Sequence, residues 1–198
     1  MDLGIADRVA LVTGSSRGIG RAIGLALARE GARVALTYRH ERCRAEEAAA
    51  EIRAAGGIAM TVELDLASPE SIDAAVAAID AAWHHIDILV NNAIDYGRRA
   101  YVPFERLRGP EWRRMLRTNI EGPYAVIQAV VPAMRRQNWG RIVSISSIAA
   151  DDGLPGAAWY ATAKSALHGL TSTLTKELGS SGILANVVMP RPHVDRVV

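Results

Sequence analysis

The chain has 198 residues, 49% of them hydrophobic and 22% charged, with a formal net charge of +2. That length fits one domain with a sizeable core; no apolar run is long enough to span a bilayer, and so small a charge makes no case for nucleic acid. The single cysteine, Cys43, excludes an internal disulfide and reads as a surface thiol on a helix, and with an N-terminus lacking a signal-peptide pattern it points to the cytoplasm.

Short β-branched runs alternate with Ala-rich stretches of helical period. In chain order, a strand over 8–13 is followed by a glycine-rich turn and a helix over 18–30. A strand over 33–38 precedes a helix over 41–55, and a strand over 58–64 precedes a helix over 69–83. Ser68-Pro69-Glu70 marks the start of that last helix with an N-cap, a first-turn proline and a first-turn acid. Strands over 86–91, 141–146 and 183–189 frame helices over 110–137 and 159–178. Strict alternation of this kind predicts a single α/β domain over residues 1–198: a Rossmann-type doubly wound parallel sheet of six strands flanked by helices. The continuous apolar strands suit a sheet covered on both faces.

The turn after the first strand reads TGSSRGIG. Gly14, Gly18 and Gly20 sit at a strand-to-helix junction, where glycines let the backbone approach a pyrophosphate held by the helix N-terminus. A carboxylate ending the second strand would hold a ribose 2′-hydroxyl, but LTYRHER stands there instead. Arg17 and Arg39 suit a 2′-phosphate, which favours NADP over NAD. Two solvated arginines in an Arg-rich chain are the plain alternative; all but two of the 23 basic residues are arginine, the exceptions being Lys164 and Lys176.

One of those lysines falls in SISSIAADDGLPGAAWYATAKSAL. Tyr160 and Lys164 are four apart and share a helix face. A neighbouring ammonium favours a phenolate, so Tyr160 can exchange a proton with a carbonyl or alcohol oxygen while a hydride moves. Ser147 can hydrogen-bond the same oxygen.

Together these segments resemble the classical subgroup of the short-chain dehydrogenase/reductase family. TGSSRGIG matches its TGxxxGxG turn, Asp65-Leu66 its adenine-side dipeptide, and NNA at 91–93 part of its NNAG motif. TNI at 118–120 supplies its asparagine, Asn119, and Ser147, Tyr160 and Lys164 match its serine and YxxxK. The resemblance covers residues 6 to about 190 and is closest to 3-oxoacyl-(acyl carrier protein) reductases and related ketoreductases. It implies hydride transfer with a nicotinamide cofactor and a catalytic set of Asn119, Ser147, Tyr160 and Lys164, with Asn119 holding a relay water. It implies cofactor contacts from Gly14, Ser16, Arg17, Gly18, Ile19 and Gly20. Further contacts are expected from Arg39, Asp65, Leu66, Asn92 and Ala93, and from Tyr160, Lys164 and Pro190.

Two features depart from the family pattern. Ile94 replaces the glycine of NNAG, where a β-branched residue is expected to crowd the backbone or force different dihedrals. After the sixth strand the family's Pro-Gly pair becomes Pro190-Arg191, its threonine position falls at about Asp195, and the expected substrate lid and seventh strand are missing. A sixth strand left at the sheet edge is expected to drive homo-oligomerisation, as a dimer or tetramer, or to be hidden by the chain's own tail. Two functions follow: an NADP-dependent ketoreductase acting on a small carbonyl or acyl-thioester substrate, or a shortened, catalytically impaired homologue that binds rather than turns over.

Residues 98–117 carry seven arginines (Arg98, Arg99, Arg106, Arg108, Arg113, Arg114, Arg117) and two acids, with Tyr101, Phe104 and Trp112 interleaved. An acidic acyl carrier protein is a candidate partner for that patch, and a solvated face is the alternative. The five histidines, with His84 and His85 adjacent at a helix end, show no ligand spacing, so no metal site is expected.

Overall fold

The structure, a computed structural model, describes residues 3–97 and 101–190. β1 (Val9–Val12) leads to α1 (Gly18–Arg29), β2 (Arg33–Tyr38) to α2 (Arg42–Ala54), and β3 (Ile58–Glu63) to α3 (Pro69–Trp83). The chain continues through β4 (Ile88–Asn91), α4 (Gly109–Leu116), α5 (Gly122–Gln137) and β5 (Gly140–Ile145). It ends its described course with α6 (Ala149–Asp152), α7 (Ala158–Leu178) and β6 (Ile183–Val188). The six strands form one sheet in the order β3-β2-β1-β4-β5-β6, every pair parallel, as expected from the alternation.

Each strand residue faces opposite its neighbour, and the core divides accordingly. Val9 and Leu11 pack on one side with Ile72 and Ile79 of α3 and Val126 and Val130 of α5. Ala10 and Val12 pack on the other with Ala48, Ala49 and Ile52 of α2. Both faces are dry, which is why these strands read as unbroken apolar runs. Leu11, Leu36 and Leu89 are fully buried, and each contributes about 2 kcal/mol by leaving water.

Below the sheet Asp87 is 2% exposed. Its carboxylate accepts from Arg8 Nη1 at 2.9 Å and from the Val9 backbone N–H at 2.9 Å, tying the start of β1 to β4. Arg8 and Arg141 each lie over the Trp139 ring, at 4.0 and 4.3 Å from its centroid.

The helix predicted over 110–137 is in fact two helices. Between α4 and α5 lies a widened π turn, Arg117–Glu121, which carries Asn119. No glycine or proline marks it; Gly122 and Pro123 follow it. Such one-turn widenings cluster at functional sites. By contrast α3 begins as predicted: Ser68 Oγ accepts from the Ser71 N–H at 3.2 Å behind Pro69.

β6 alternates buried Ile183 and Ala185 with outward Leu184 and Val188, each of these last two 48% exposed. Among the described residues it pairs with β5 alone. The tail expected to cover this edge, with Arg191, His193 and Asp195, lies outside the described residues, as do Arg98 and Arg99 of the basic patch. No helix among the described residues is long and apolar enough to cross a membrane.

Candidate active site

The sheet order turns back between β1 and β4, whose neighbours in sequence lie on opposite sides. A crevice opens there above the carboxyl ends of the strands, the position where doubly wound sheets take ligands. It is a cleft of about 530 Å³.

The glycine-rich turn forms its floor, with Gly14, Ser16, Arg17, Gly18, Ile19 and Gly20 all lining it. Gly14 has φ +63°, and a Cβ there would sit 2.7 Å from Ala93 Cα, so only glycine brings the turn against the strand beside it. Gly18 has φ +58° and nothing within 4 Å of where its Cβ would stand, so the backbone is bare toward the cleft. α1 starts here without a side-chain cap and without an acid in its first turn. Its N–H groups and positive dipole end therefore point at the cleft unspent, unlike those of α3. These features fit the pyrophosphate of a dinucleotide.

Asn92 and Ala93 form the next wall. Asn92 Nδ2 donates to the carbonyls of Thr13 and Gly14, at 2.9 and 3.1 Å, and Thr13 Oγ1 accepts from the N–H groups of Asn92 and Ala93, both at 3.0 Å. Strand β4's end is thus locked onto the glycine turn. Leu66 lines the cleft, but Asp65 does not; it faces an adjoining cavity and accepts from the Ala67 N–H at 2.9 Å.

The two arginines offered to a 2′-phosphate both line the cleft, and each meets a carboxylate. Arg17 Nε lies 3.7 Å from Glu41, and Arg39 Nη1 lies 3.4 Å from Asp95. Asp95 is a residue that spacing alone does not single out. Its carboxylate is 12% exposed and also pairs with Arg114 at 2.8 Å. Burial resists its ionisation, but the Gly97 N–H, Arg114 and Arg39 outweigh that and hold its carboxyl below the usual range.

Ile94 also lines the cleft. Its φ is not positive; the left-handed turn comes three residues later at Gly97, φ +66°. The backbone passes position 94 in a conformation open to any residue, and the isoleucine side chain becomes part of the wall.

None of the four expected catalytic residues lines the cleft itself; Tyr160 meets its wall through the ring of Tyr96, and Asn119 through the backbone of Asp95. Tyr160 and Lys164 sit one turn apart on α7, with Lys164 Nζ 5.8 Å from the Tyr160 ring centroid. Lys164 is 6% exposed and donates to the Ile145 carbonyl at 2.6 Å; burial lowers its ammonium to about 8. At neutral pH it therefore remains charged. Ser147 Oγ accepts from the Ala149 N–H at 3.2 Å as α6 begins, and its own proton has no acceptor among the described residues. Asn119 reaches back from the π turn: its Nδ2 donates to the Asp95 carbonyl at 3.0 Å, and its Oδ1 accepts from the Asp95 N–H at 2.9 Å. Pro190, two residues beyond β6 and the last described residue, does not line the cleft.

Two further groups escaped sequence reasoning. Tyr96, half exposed in the cleft wall, stacks on Tyr160 with centroids 6.0 Å apart and 19° between planes, and meets Trp159 edge-on. Burial, then the Tyr160 phenol, raise the Tyr96 phenol above its usual value, so it stays protonated. His168 Nε2 lies 2.8 Å from Ser146 Oγ, which also donates to the Lys164 carbonyl at 3.2 Å. Among the described residues no group of three or more His, Cys, Asp or Glu could hold a metal.

Comparison with known proteins agrees with this fold. The family model for short chain dehydrogenases matches residues 8–194. A 3-oxoacyl-[acyl-carrier-protein] reductase FabG of Staphylococcus epidermidis is 38% identical over 184 residues, covering 93% of this chain and 74% of that protein. A metagenomic short-chain oxidoreductase solved with NADP superposes with a TM-score of 0.87 at 35% identity, covering 94% of this chain and 83% of that one. An NAD⁺-bound xylitol dehydrogenase gives 0.87 at 34% identity, covering 94% and 70%. With a crevice fit for a dinucleotide and a family match across nearly its whole length, this chain belongs to the short-chain dehydrogenase family and is an oxidoreductase.

Proposed function

We propose that this enzyme reduces a ketone to an alcohol with NADPH, and that its substrate is a 3-oxoacyl thioester or a related carbonyl compound. The observation carrying this reading is the buried, charged Lys164 set one helical turn from Tyr160. The bound nicotinamide supplies the hydride. Tyr160 gives its phenolic proton to the carbonyl oxygen as negative charge grows there, and the Lys164 ammonium favours the phenolate left behind. Ser147 donates its free hydroxyl proton to the same oxygen, which fixes the carbonyl at Tyr160. The amide of Asn119 makes one bond each way to the Asp95 backbone, and its second N–H and second lone pair are what it would offer a relay water.

The phosphate preference rests on Arg17 and Arg39, both in the cleft wall, with no carboxylate ending β2. NADP in the metagenomic relative agrees with it, whereas the xylitol dehydrogenase holds NAD⁺. An acyl carrier protein is the proposed donor of the thioester. Exposed Tyr101 and Phe104, the latter 77% exposed, stand beside Arg106 and Arg108, a surface suited to an acidic partner with an apolar arm. A homo-oligomer in the cytoplasm completes the reading, with outward Leu184 and Val188 of β6 available to a second copy.

Titration with NADPH and NADH, followed by turnover on a 3-oxoacyl thioester, tests the proposal. Tighter NADH binding refutes the cofactor preference. Nucleotide binding without turnover on any ketone favours the second reading, a homologue that binds but does not catalyse. Carrier-protein binding that does not weaken with salt refutes the docking surface.

A further inference from the structure

Asp95 joins several parts of the site. Its carboxylate touches Arg39, from the end of β2, and Arg114, from α4. Its backbone N–H and carbonyl are both held by the side chain of Asn119. Its side chain also accepts from the Gly97 N–H at 2.7 Å. Arg39 follows β2 and Asp95 follows β4, the strands on either side of β1, and both residues line the nucleotide cleft.

We propose that Asp95 is a specificity-determining latch: its carboxylate holds Arg39 in the free enzyme, and a 2′-phosphate must displace it to bind. This rests on the NADP reading given under Proposed function. The two ion pairs are unequal, and that inequality lets the latch open. Arg39 lies 3.4 Å from the carboxylate and Arg114 lies 2.8 Å from it. When a phosphate draws Arg39 away, Asp95 keeps its shorter partner and its Gly97 N–H, so no buried carboxylate is left uncompensated. A phosphate also offers Arg39 more charge and more acceptor atoms than one carboxylate does. NADH carries no group that competes for Arg39, so the latch acts on one nucleotide and not on the other. The second arginine differs. Arg17 and Glu41 are separated by 3.7 Å, with side chains 71% and 38% exposed, so water screens that pair and little opposes its exchange.

The effect is measurable by equilibrium binding of NADPH and NADH to wild type, Asp95→Asn, Asp95→Glu, Arg39→Gln and the Asp95→Asn/Arg39→Gln double variant. Asparagine keeps an acceptor for the Gly97 N–H and the backbone pairing with Asn119, while removing the charge that holds Arg39. Asp95→Asn should tighten NADPH by about two- to five-fold, the range an exposed ion pair spans, and leave NADH unchanged. Asp95→Glu, which keeps the charge, should show no gain. Arg39→Gln should weaken NADPH, and in that background Asp95→Asn should give no gain.

Weaker NADPH binding by Asp95→Asn overturns the latch, because Asp95 then orients Arg39 for the phosphate instead of competing with it. An equal gain for NADH, or a gain that persists without Arg39, also overturns it. A wild-type preference for NADH refutes the cofactor reading alone; the NADPH gain in Asp95→Asn and its loss without Arg39 still decide the latch. Thermal melts of each variant separate these outcomes from misfolding.

Discussion

Raising the pH should stabilise the free protein, because Lys164 is buried as an ammonium. Burial lowers it from 10.5 to about 8. An unfolded chain keeps that proton until pH about 10.5, whereas the folded one releases it near 8, so between those values unfolding takes up a proton and stability rises with pH. Each unit of difference is worth about 1.4 kcal/mol, which places the cost of burying the charge at about 3 kcal/mol at neutral pH. Going from pH 7 to 9.5 relieves about 2 kcal/mol of it, or roughly 4–8 °C in Tm for a chain of this length. The assay is urea or thermal denaturation of wild type and Lys164→Met at both pH values, without nucleotide. Methionine does not titrate, so the difference between the two proteins isolates this lysine from every other group. Wild type should gain about 2 kcal/mol on the variant as the pH rises. Parallel curves would refute the reasoning, since they would mean that the ammonium is as well solvated folded as unfolded.

Other substitutions test the remaining parts of the site and its support. Tyr160→Phe removes the proton donor and should lower kcat by about 10²- to 10⁴-fold, while NADPH affinity by fluorescence titration changes little. Gly14→Ala puts a methyl group 2.7 Å from Ala93 Cα at φ +63°. It should cost about 2 kcal/mol in urea denaturation and weaken nucleotide binding as well. Asp87→Ala leaves Arg8 and the Val9 N–H without their acceptor. It should destabilise the protein by about 3 kcal/mol, read as a lower urea midpoint.

What the sequence displays is local chemistry. β-branched runs mark the strands because both sheet faces are dry, and Ser68-Pro69-Glu70 marks a helix start because the cap is made by its own neighbours. The glycine turn and the Tyr160–Lys164 pair are legible for the same reason: their residues act within one or two turns of one another. What stays hidden is decided by partners far along the chain. The π turn has no breaker of its own; Asn119 reaches Asp95, 24 residues earlier. Arg39 shows a charge fit for phosphate but not the carboxylate 56 residues away that holds it. The stack of Tyr96 on Tyr160 crosses between elements in the same way. At Ile94 the backbone is not left-handed; that turn is made at Gly97.

The π turn also acts as a phase shifter. Each helical residue advances the side-chain direction by about 100°, so one residue added within a turn rotates everything after it by that amount. α4 and α5 thus lie in sequence like a single helix but are out of step with each other across Arg117–Glu121. Deleting one residue there would restore a regular helix and lengthen no loop, an apparently mild edit. It would turn Asn119 relative to one flank or the other and break its paired bonds to Asp95. In this enzyme the distance between an ordinary helix and an assembled site is a single residue of register.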